Sequence, residues 1–370
     1  MRILFTGGGT GGHIYPILAI VEELKQKQPD LDLRYFGAPG VYQNLLEVNG
    51  IKTSKILSSK LRRYFDVRNF LDIPKFILSL FQAFWKVFWF MPDVLFSKGG
   101  PGALAIVLAC RFYRIPIIIH ESDSIPGLTN RISSRYAKRV GISFASTAEI
   151  LRGQIALIGN PVRPSLLKET TEKETAKRIL GFNPQIPLIL VVGGSQGAAR
   201  INDFFMDVVE ELIKDWQIFH QTGHNNYHGV KNELTLITKD FSDEEKARYK
   251  LIAYLDKDLK DALSAADLVV ARAGSGTIFE LAAFGKPAFL VPLFEAAGNH
   301  QTANAYEYAK TGAAIVIEED NLKPSIFLNQ LKKIFSEPER LKSMSEAALK
   351  FAKPDAAKVI AEEIVRLGSL

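Results

Sequence analysis

Arg2-Ile3-Leu4-Phe5-Thr6-Gly7-Gly8-Gly9-Thr10-Gly11-Gly12-His13 decides the fold of this chain. A short apolar run of strand length breaks into a turn nearly free of β-carbons, and helical periodicity follows from about Pro16 to Lys27. Strand, glycine turn and helix open a Rossmann-like α/β domain, and such a turn lets backbone N–H groups approach an oxygen-rich ligand. Gly7, Gly9 and Gly12 formally satisfy G-x-G-x-x-G, but a dinucleotide site also asks for an acidic residue at the tip of the second strand. The expected second strand, Leu31 to Phe36, ends in Gly37-Ala38 with Asp32 inside it, which argues against a dinucleotide.

The same pattern returns downstream. The apolar run from Leu188 meets Gly193-Gly194-Ser195-Gln196-Gly197, and the run from Asp267 meets Arg272-Ala273-Gly274-Ser275-Gly276-Thr277. Further strands are expected from Asp93, Ile115, Trp216, Pro287 and Ala313. Continuous apolar strands are covered on both faces, so two parallel sheets flanked by helices are predicted. The length of 370 residues suits two domains. The junction is expected near Gly159-Asn160-Pro161-Val162-Arg163-Pro164, where two prolines interrupt regular structure. The expected division is 1–160, 161–345, and a segment 346–370 whose helix returns to the first domain. The cleft should lie between the domains, at the carboxyl ends of both sheets.

Composition narrows the class. With 47% apolar and 23% charged residues the chain is globular, and Cys110, the only cysteine, excludes an intrachain disulfide and suits a reducing compartment. The first residues carry one charge and a very short apolar run, unlike a signal peptide or a membrane span. A net charge of +6 suits anionic lipid, nucleotide phosphate or nucleic acid, and only its placement can choose.

Four places carry chemistry. His13 closes the first glycine turn, where an imidazole is aimed at a ligand and a general base is plausible; helix capping or packing is the alternative. Ser195 and its neighbouring N–H groups suit a phosphate at a helix start. The same string also reads as G-x-S-x-G, a hydrolase elbow with Asp267 and His300 as partners, but that leaves the first domain without a role. Ser275 to Thr277 form a third phosphate-type turn, with Glu280 one helical turn on and suited to a ribose diol. Asp256-Lys257-Asp258 reads as a helix start, so no metal is expected. In the fourth place, Pro74 to Met91, the polar residues Lys75, Ser79, Gln82 and Lys86 form one stripe on an otherwise apolar helix. Too interrupted to span a bilayer, it suits a membrane interface, with Phe76, Ile77, Leu80, Phe81, Phe84, Trp85, Phe88 and Trp89 in lipid. Arg62, Arg63, Arg68, Lys75 and Lys86 would then face anionic headgroups; internal packing is the alternative.

Taken together, GGGTGGHIYP from Gly7, SKGGPG from Ser97, HESDSIPGLTN from His120, GNPVR from Gly159, VVGGSQGAARIN from Val191, ARAGSGTIFELAAFGKP from Ala271 and NHQTANA from Asn299 resemble the MurG family of bacterial glycosyltransferases, nearly end to end. The resemblance implies a GT-B fold of two Rossmann-like domains and inverting, metal-free transfer of N-acetylglucosamine from UDP-GlcNAc to undecaprenyl-linked lipid I. It implies a peripheral protein on an anionic membrane surface at the cytoplasmic face, with no cofactor and no nucleic acid. By position, His13 matches the family's proposed base, and Gly99, Gly100 and Glu121 match its acceptor or structural loops. Thr10, Gly11, Gly12, Arg163, Ser195, Leu255, Ser275, Gly276, Thr277, Ile278, Phe279, Glu280 and Gln301 match its donor-binding positions. Leu255 would offer backbone groups to uracil, Ser195 a contact to phosphate, Glu280 one to ribose and Gln301 one to the sugar. Asp123 is a departure: it stands where the family usually has a donor-site asparagine, and an ionised carboxylate accepts but does not donate. A related GT-B transferase with another sugar or lipid, a serine hydrolase and a non-catalytic binding module remain the alternatives.

Overall fold

The continuous apolar runs become the strands of two all-parallel sheets. The computed structural model describes residues 1–28, 30–58, 68–194, 197–294 and 297–369, the side chains of 68–71 and 297 excepted. Ser195, Arg62, Arg63 and the Arg68 side chain thus lie outside the described residues. Two units are formed, Met1–Pro164 with Lys353–Leu370, and Ser165–Ala352.

The first unit holds β1 (Arg2–Gly7), β2 (Asp32–Gly37), β3 (Lys52–Lys55), β4 (Val94–Ser97), β5 (Ile117–Glu121), β6 (Arg139–Ile142) and β7 (Ile155–Leu157). Its sheet order is β3-β2-β1-β4-β5-β6-β7, with Ile3 paired to Leu33 on one side and Val94 on the other. The second unit holds β8 (Leu188–Val192), β9 (Gln217–Gln221), β10 (Tyr249–Ile252), β11 (Leu268–Ala271), β12 (Ala288–Leu290) and β13 (Ala314–Val316), ordered β10-β9-β8-β11-β12-β13. Strand order reverses at β1/β4 and at β8/β11. Loops leaving two such neighbours diverge and open a crevice at the carboxyl ends, so each unit has one switch point where its glycine turns gather.

Four expectations shift. The first helix runs Gly11–Lys27, beginning before Pro16, so His13 lies inside its first turn and not ahead of it. Proline fits helical φ; the carbonyl it deprives of a partner is that of exposed Gly12, four residues back. Helix Pro338–Phe351 stays in the second unit, Phe351 packing on Phe279 at 5.1 Å, and the return to the first unit comes at Lys353. From there helix Ala356–Gly368 buries Ile360, Ile364 and Leu367 at helical spacing against Gly11–Lys27, with Lys27 and Glu362 paired at 2.8 Å.

The third shift concerns the apolar helix, which spans Arg68–Phe90. Its inward face is Ser79, Ala83, Val87 and Phe90, all buried. Three of the four stripe residues therefore turn towards the protein while Lys75 stays exposed: buried Ser79 closes its Oγ on the helix's own Phe76 carbonyl at 2.8 Å, Gln82 Oε1 accepts from the Leu57 N–H at 3.0 Å, and Lys86 Nζ donates to the Lys55 carbonyl at 2.9 Å. Polar groups that can close on backbone need not face water. The outer face is apolar, with Phe81, Trp85 and Trp89 at 70, 66 and 69% exposed and Phe112 of the next helix at 68%. Ile77 and Phe88 join them, whereas Phe76, Leu80 and Phe84 are half-buried against the core. Among the described residues no helix is long and apolar enough to cross a membrane.

Fourth, the hydrolase arrangement fails. Asp267 accepts from the Leu188 N–H at 2.8 Å and pairs with Lys173 and Lys177, which puts it at the start of β8 and β11, whereas the turn holding Ser195 follows the end of β8.

Candidate functional site

At the first switch point Thr10 is the helix N-cap, yet its hydroxyl does not cap the helix. It bonds His13 Nδ1 at 2.8 Å instead, while the His13 N–H closes on the Thr10 carbonyl at 3.0 Å. Glycine makes room for the ring. A Cβ at Gly8 would sit 2.9 Å from His13 Cε1, and one at Gly100 would sit 3.0 Å from His13 Nε2 and 2.8 Å from the Gly8 nitrogen. Gly100 also has φ +85°, a conformation that β-carbons disfavour. The imidazole is thus clamped between two stretches of backbone, with Gly99 buried behind it against Asn130 and Gly11 buried below. Thr10 and Gly12 stay exposed. Arg163 sits 5.2 Å above the Tyr15 ring, one turn or less from His13 along the helix.

Beneath this clamp lies a buried polar cluster drawn from the SKGGPG, HESDSIPGLTN and GNPVR stretches, of whose members only Glu121 is among the expected site residues. His120 Nε2 meets the Gly159 carbonyl at 2.8 Å, and a carbonyl only accepts, so Nε2 carries the hydrogen. Burial, with the Lys98 charge second, holds His120 well below its ordinary value, so Nδ1 keeps a lone pair. Lys98 Nζ donates to that lone pair at 2.6 Å, to Asn160 Oδ1 at 3.2 Å and to Ser122 Oγ. Glu121 accepts from the Asp123 N–H at 3.1 Å, the Gly127 N–H at 3.0 Å and Asn130 Nδ2 at 3.0 Å. Burial pushes Lys98 down and Glu121 up, the charge of Asp123 adding to the rise of Glu121. Every partner of Glu121 is a donor and every partner of Lys98 an acceptor, the arrangement that favours the ionised forms.

The second switch point is built from amides. Gln221, last in β9, donates to the Gly194 carbonyl at 2.9 Å and accepts from the Leu255 N–H at 3.2 Å, clipping the turn after β8 to the loop after β10. Asn304 Nδ2 donates to the Ala273 carbonyl at 3.3 Å, and Gln301 Oε1 accepts from the Leu293 N–H at 3.0 Å. Buried Arg272 donates to the Val291 carbonyl at 3.1 Å and pairs with Glu319. Helix Ser275–Ala283 starts here with extended Gly274 as N-cap, so the N–H groups of Ser275, Gly276 and Thr277 have no carbonyl one turn back within the helix. The Ile278, Phe279 and Leu255 side chains are core, which leaves only their backbone for a ligand. Half-buried Glu280 follows on the same helix.

Residues 3–142 match the glycosyltransferase family 28 N-terminal domain and residues 188–360 its C-terminal domain. A Clostridium tetani protein, 35% identical over 353 residues and covering 94% of each chain, is named UDP-N-acetylglucosamine--N-acetylmuramyl-(pentapeptide) pyrophosphoryl-undecaprenol N-acetylglucosamine transferase. A Bacillus cereus protein named as the second transferase of this kind is 34% identical over 98% of this chain and 99% of its own. The crystal structure of Acinetobacter baumannii MurG superposes with a TM-score of 0.78 at 26% identity, covering 99% of both chains. The chain belongs to the MurG family of glycosyltransferases.

Within this MurG-family chain the candidate residues fall into two groups, one at each switch point, with Ser195 outside the described residues. Gln221 lies outside every motif, and Lys98 lies inside SKGGPG without being singled out by it. Their shared sequence signal is a polar residue closing an apolar strand run beside a turn, as in VLFSK before Gly99-Gly100 and IFHQ before Thr222-Gly223.

Proposed function

We propose that the chain transfers N-acetylglucosamine from UDP-GlcNAc, with inversion, to the C4 hydroxyl of the N-acetylmuramic acid of undecaprenyl-diphospho-MurNAc-pentapeptide, giving the lipid-linked disaccharide used in peptidoglycan synthesis. The clamped His13 carries the reading. When Nδ1 donates to Thr10, Nε2 holds the lone pair that takes the acceptor proton; the oxygen attacks the anomeric carbon and UDP leaves with the bonding electrons. The second switch point suits UDP: unmatched N–H groups at a helix start favour diphosphate oxygens, Glu280 a ribose diol, and the Leu255 backbone the base. Glycine and amide groups held in place before the donor arrives need no reorganisation as charge moves onto the diphosphate. Asp123 suits a donor on the sugar or acceptor.

The outer face of helix Arg68–Phe90, with Phe112 between exposed Arg111 and Arg114, suits docking to an anionic cytoplasmic membrane face without spanning it. Lys86 is engaged with the Lys55 carbonyl, so Arg111 and Arg114 join Lys75 as the cations offered to headgroups.

The test is purified protein with UDP-GlcNAc and a short-chain lipid I analogue in EDTA, following UDP and disaccharide. Product formation supports the reading; UDP binding without product would point to another sugar or acceptor, and no UDP binding would overturn it. For docking, a Phe81→Ser/Trp85→Ser protein should lose sedimentation with phosphatidylglycerol vesicles, and full retention would sink that part.

A further inference from the structure

Lys98 is a buried cation that the transfer step above leaves without a task. Only 3% exposed, it meets three acceptors with its three N–H bonds, so the ammonium is satisfied as an ion. Two of those acceptors, His120 and Ser122, flank Glu121 and lead directly into Asp123; the third, Asn160, belongs to the segment running to Arg163. On its own backbone side, Lys98 bonds the Thr6 carbonyl at 2.9 Å and leads into Gly99-Gly100, the wall of the His13 clamp. One side chain therefore ties the catalytic clamp to the segment that carries Asp123.

Charge gives this tie a purpose. Glu121 is buried and accepts from donors on every side, and Asp123 adds a second carboxylate two residues away. The two carboxylates repel: burial raises Glu121, and the charge of Asp123 adds to the rise. Lys98 interacts with the charge of both. With Lys98 and Asp123 present the cluster carries the same net charge as it would with a neutral residue at each position.

We propose that Lys98 and Asp123 act as a charge-matched pair, in which Lys98 is a positioning residue that holds the His120–Asp123 segment so that the Asp123 carboxylate meets a donor group of the substrate. The inference rests on the transferase reading above and names the partner that makes an aspartate workable there.

A double-mutant cycle tests it, with Lys98→Met, Asp123→Asn and both together, read by thermal midpoint, UDP affinity and transfer kinetics. Lys98→Met should lower kcat by about tenfold or more while UDP affinity stays within about twofold, and Asp123→Asn added to it should recover several-fold of that loss. The thermal midpoint of the double variant should likewise exceed that of Lys98→Met alone. If Lys98→Met does not fold, Asp123→Asn should restore folding. Additive effects, or a double variant no better folded or faster than Lys98→Met, would overturn the pair. The midpoint arm needs no turnover, so wild-type protein that makes no disaccharide would defeat the transferase reading while the coupling between Lys98 and Asp123 stays measurable.

Discussion

The two switch points share a topology and differ in what backs their turns. In the first unit the glycine turn rests on ionisable groups: His13 between Gly8 and Gly100, with Lys98, His120 and Glu121 beneath. In the second unit the turns after β8, β11 and β12 are braced by the amides of Gln221, Asn304 and Gln301, and Glu319 pairs with Arg272 beside β12 and with Arg200 on the helix Ala199–Asp207. Amides hold one hydrogen-bond pattern over the whole working pH range, which suits a site that binds. Groups that gain and lose protons suit a site that moves them. Under the proposed transfer, the difference divides labour between the units: proton chemistry in the first, ligand recognition in the second.

The largest break in that division comes from His13→Ala. Loss of a general base should cut kcat by about 10²- to 10⁴-fold, with UDP affinity within about twofold of wild type. Equal losses in both, read by single-turnover kinetics and calorimetry, would mean that His13 serves binding. Gly100→Ala should follow, at about ten- to a hundredfold in kcat, because the new methyl falls 3.0 Å from His13 Nε2 on a backbone at φ +85°. Full activity in this variant would show that the ring needs no clamp.

The second unit should respond in the opposite sense. Gln221→Leu removes the clip between Gly194 and Leu255, and Glu280→Ala removes the candidate ribose carboxylate. Each should weaken UDP binding by about tenfold, while kcat at saturating donor changes little. A fall in kcat at unchanged affinity would erase the contrast between the two switch points.

How far sequence reaches follows the same line. Parallel strands buried on both faces write themselves as continuous apolar runs, so the β8 run from Leu188 and the β11 run ending at Ala271 can be read directly, as can the turn between β11 and helix Ser275–Ala283. Helix starts are less readable: Pro16 looks like a first residue but sits inside a helix that glycines begin. The apolar helix misleads for a different reason. A polar stripe reads as the wet face until a backbone donor at Leu57 and a backbone acceptor at Lys55 engage Gln82 and Lys86, and neither contact has a sequence period. The roles of Lys98 and Gln221 stay hidden because a long-range hydrogen bond joins residues whose spacing, 22 for Lys98 to His120 and 34 for Gln221 to Leu255, carries no pattern.

One histidine of the second unit tests whether its ionisable groups are only structural. His220 Nε2 faces Asn202 Oδ1 at 3.0 Å and Nδ1 faces the Tyr249 hydroxyl at 2.8 Å, and burial holds its pKa down at about 3 against an ordinary 6.5. Because the folded value is the lower one, its contribution is complete above 6.5 and is lost as pH falls from there towards 3, at about 1.4 kcal/mol per pH unit. His120 adds a loss of the same sign in the first unit, so the two must be separated. Of the three tryptophans, Trp216 is buried in the second unit and Trp85 and Trp89 are exposed in the first. In a Trp85→Phe/Trp89→Phe background, fluorescence-monitored denaturant unfolding therefore reports on the second unit. Between pH 7.5 and 5.5 its stability should fall by about 1.4 kcal/mol, and His220→Gln, which keeps one donor and one acceptor, should flatten that slope. An unchanged slope would place the acid-sensitive group elsewhere and leave His220 a neutral brace like the amides around it.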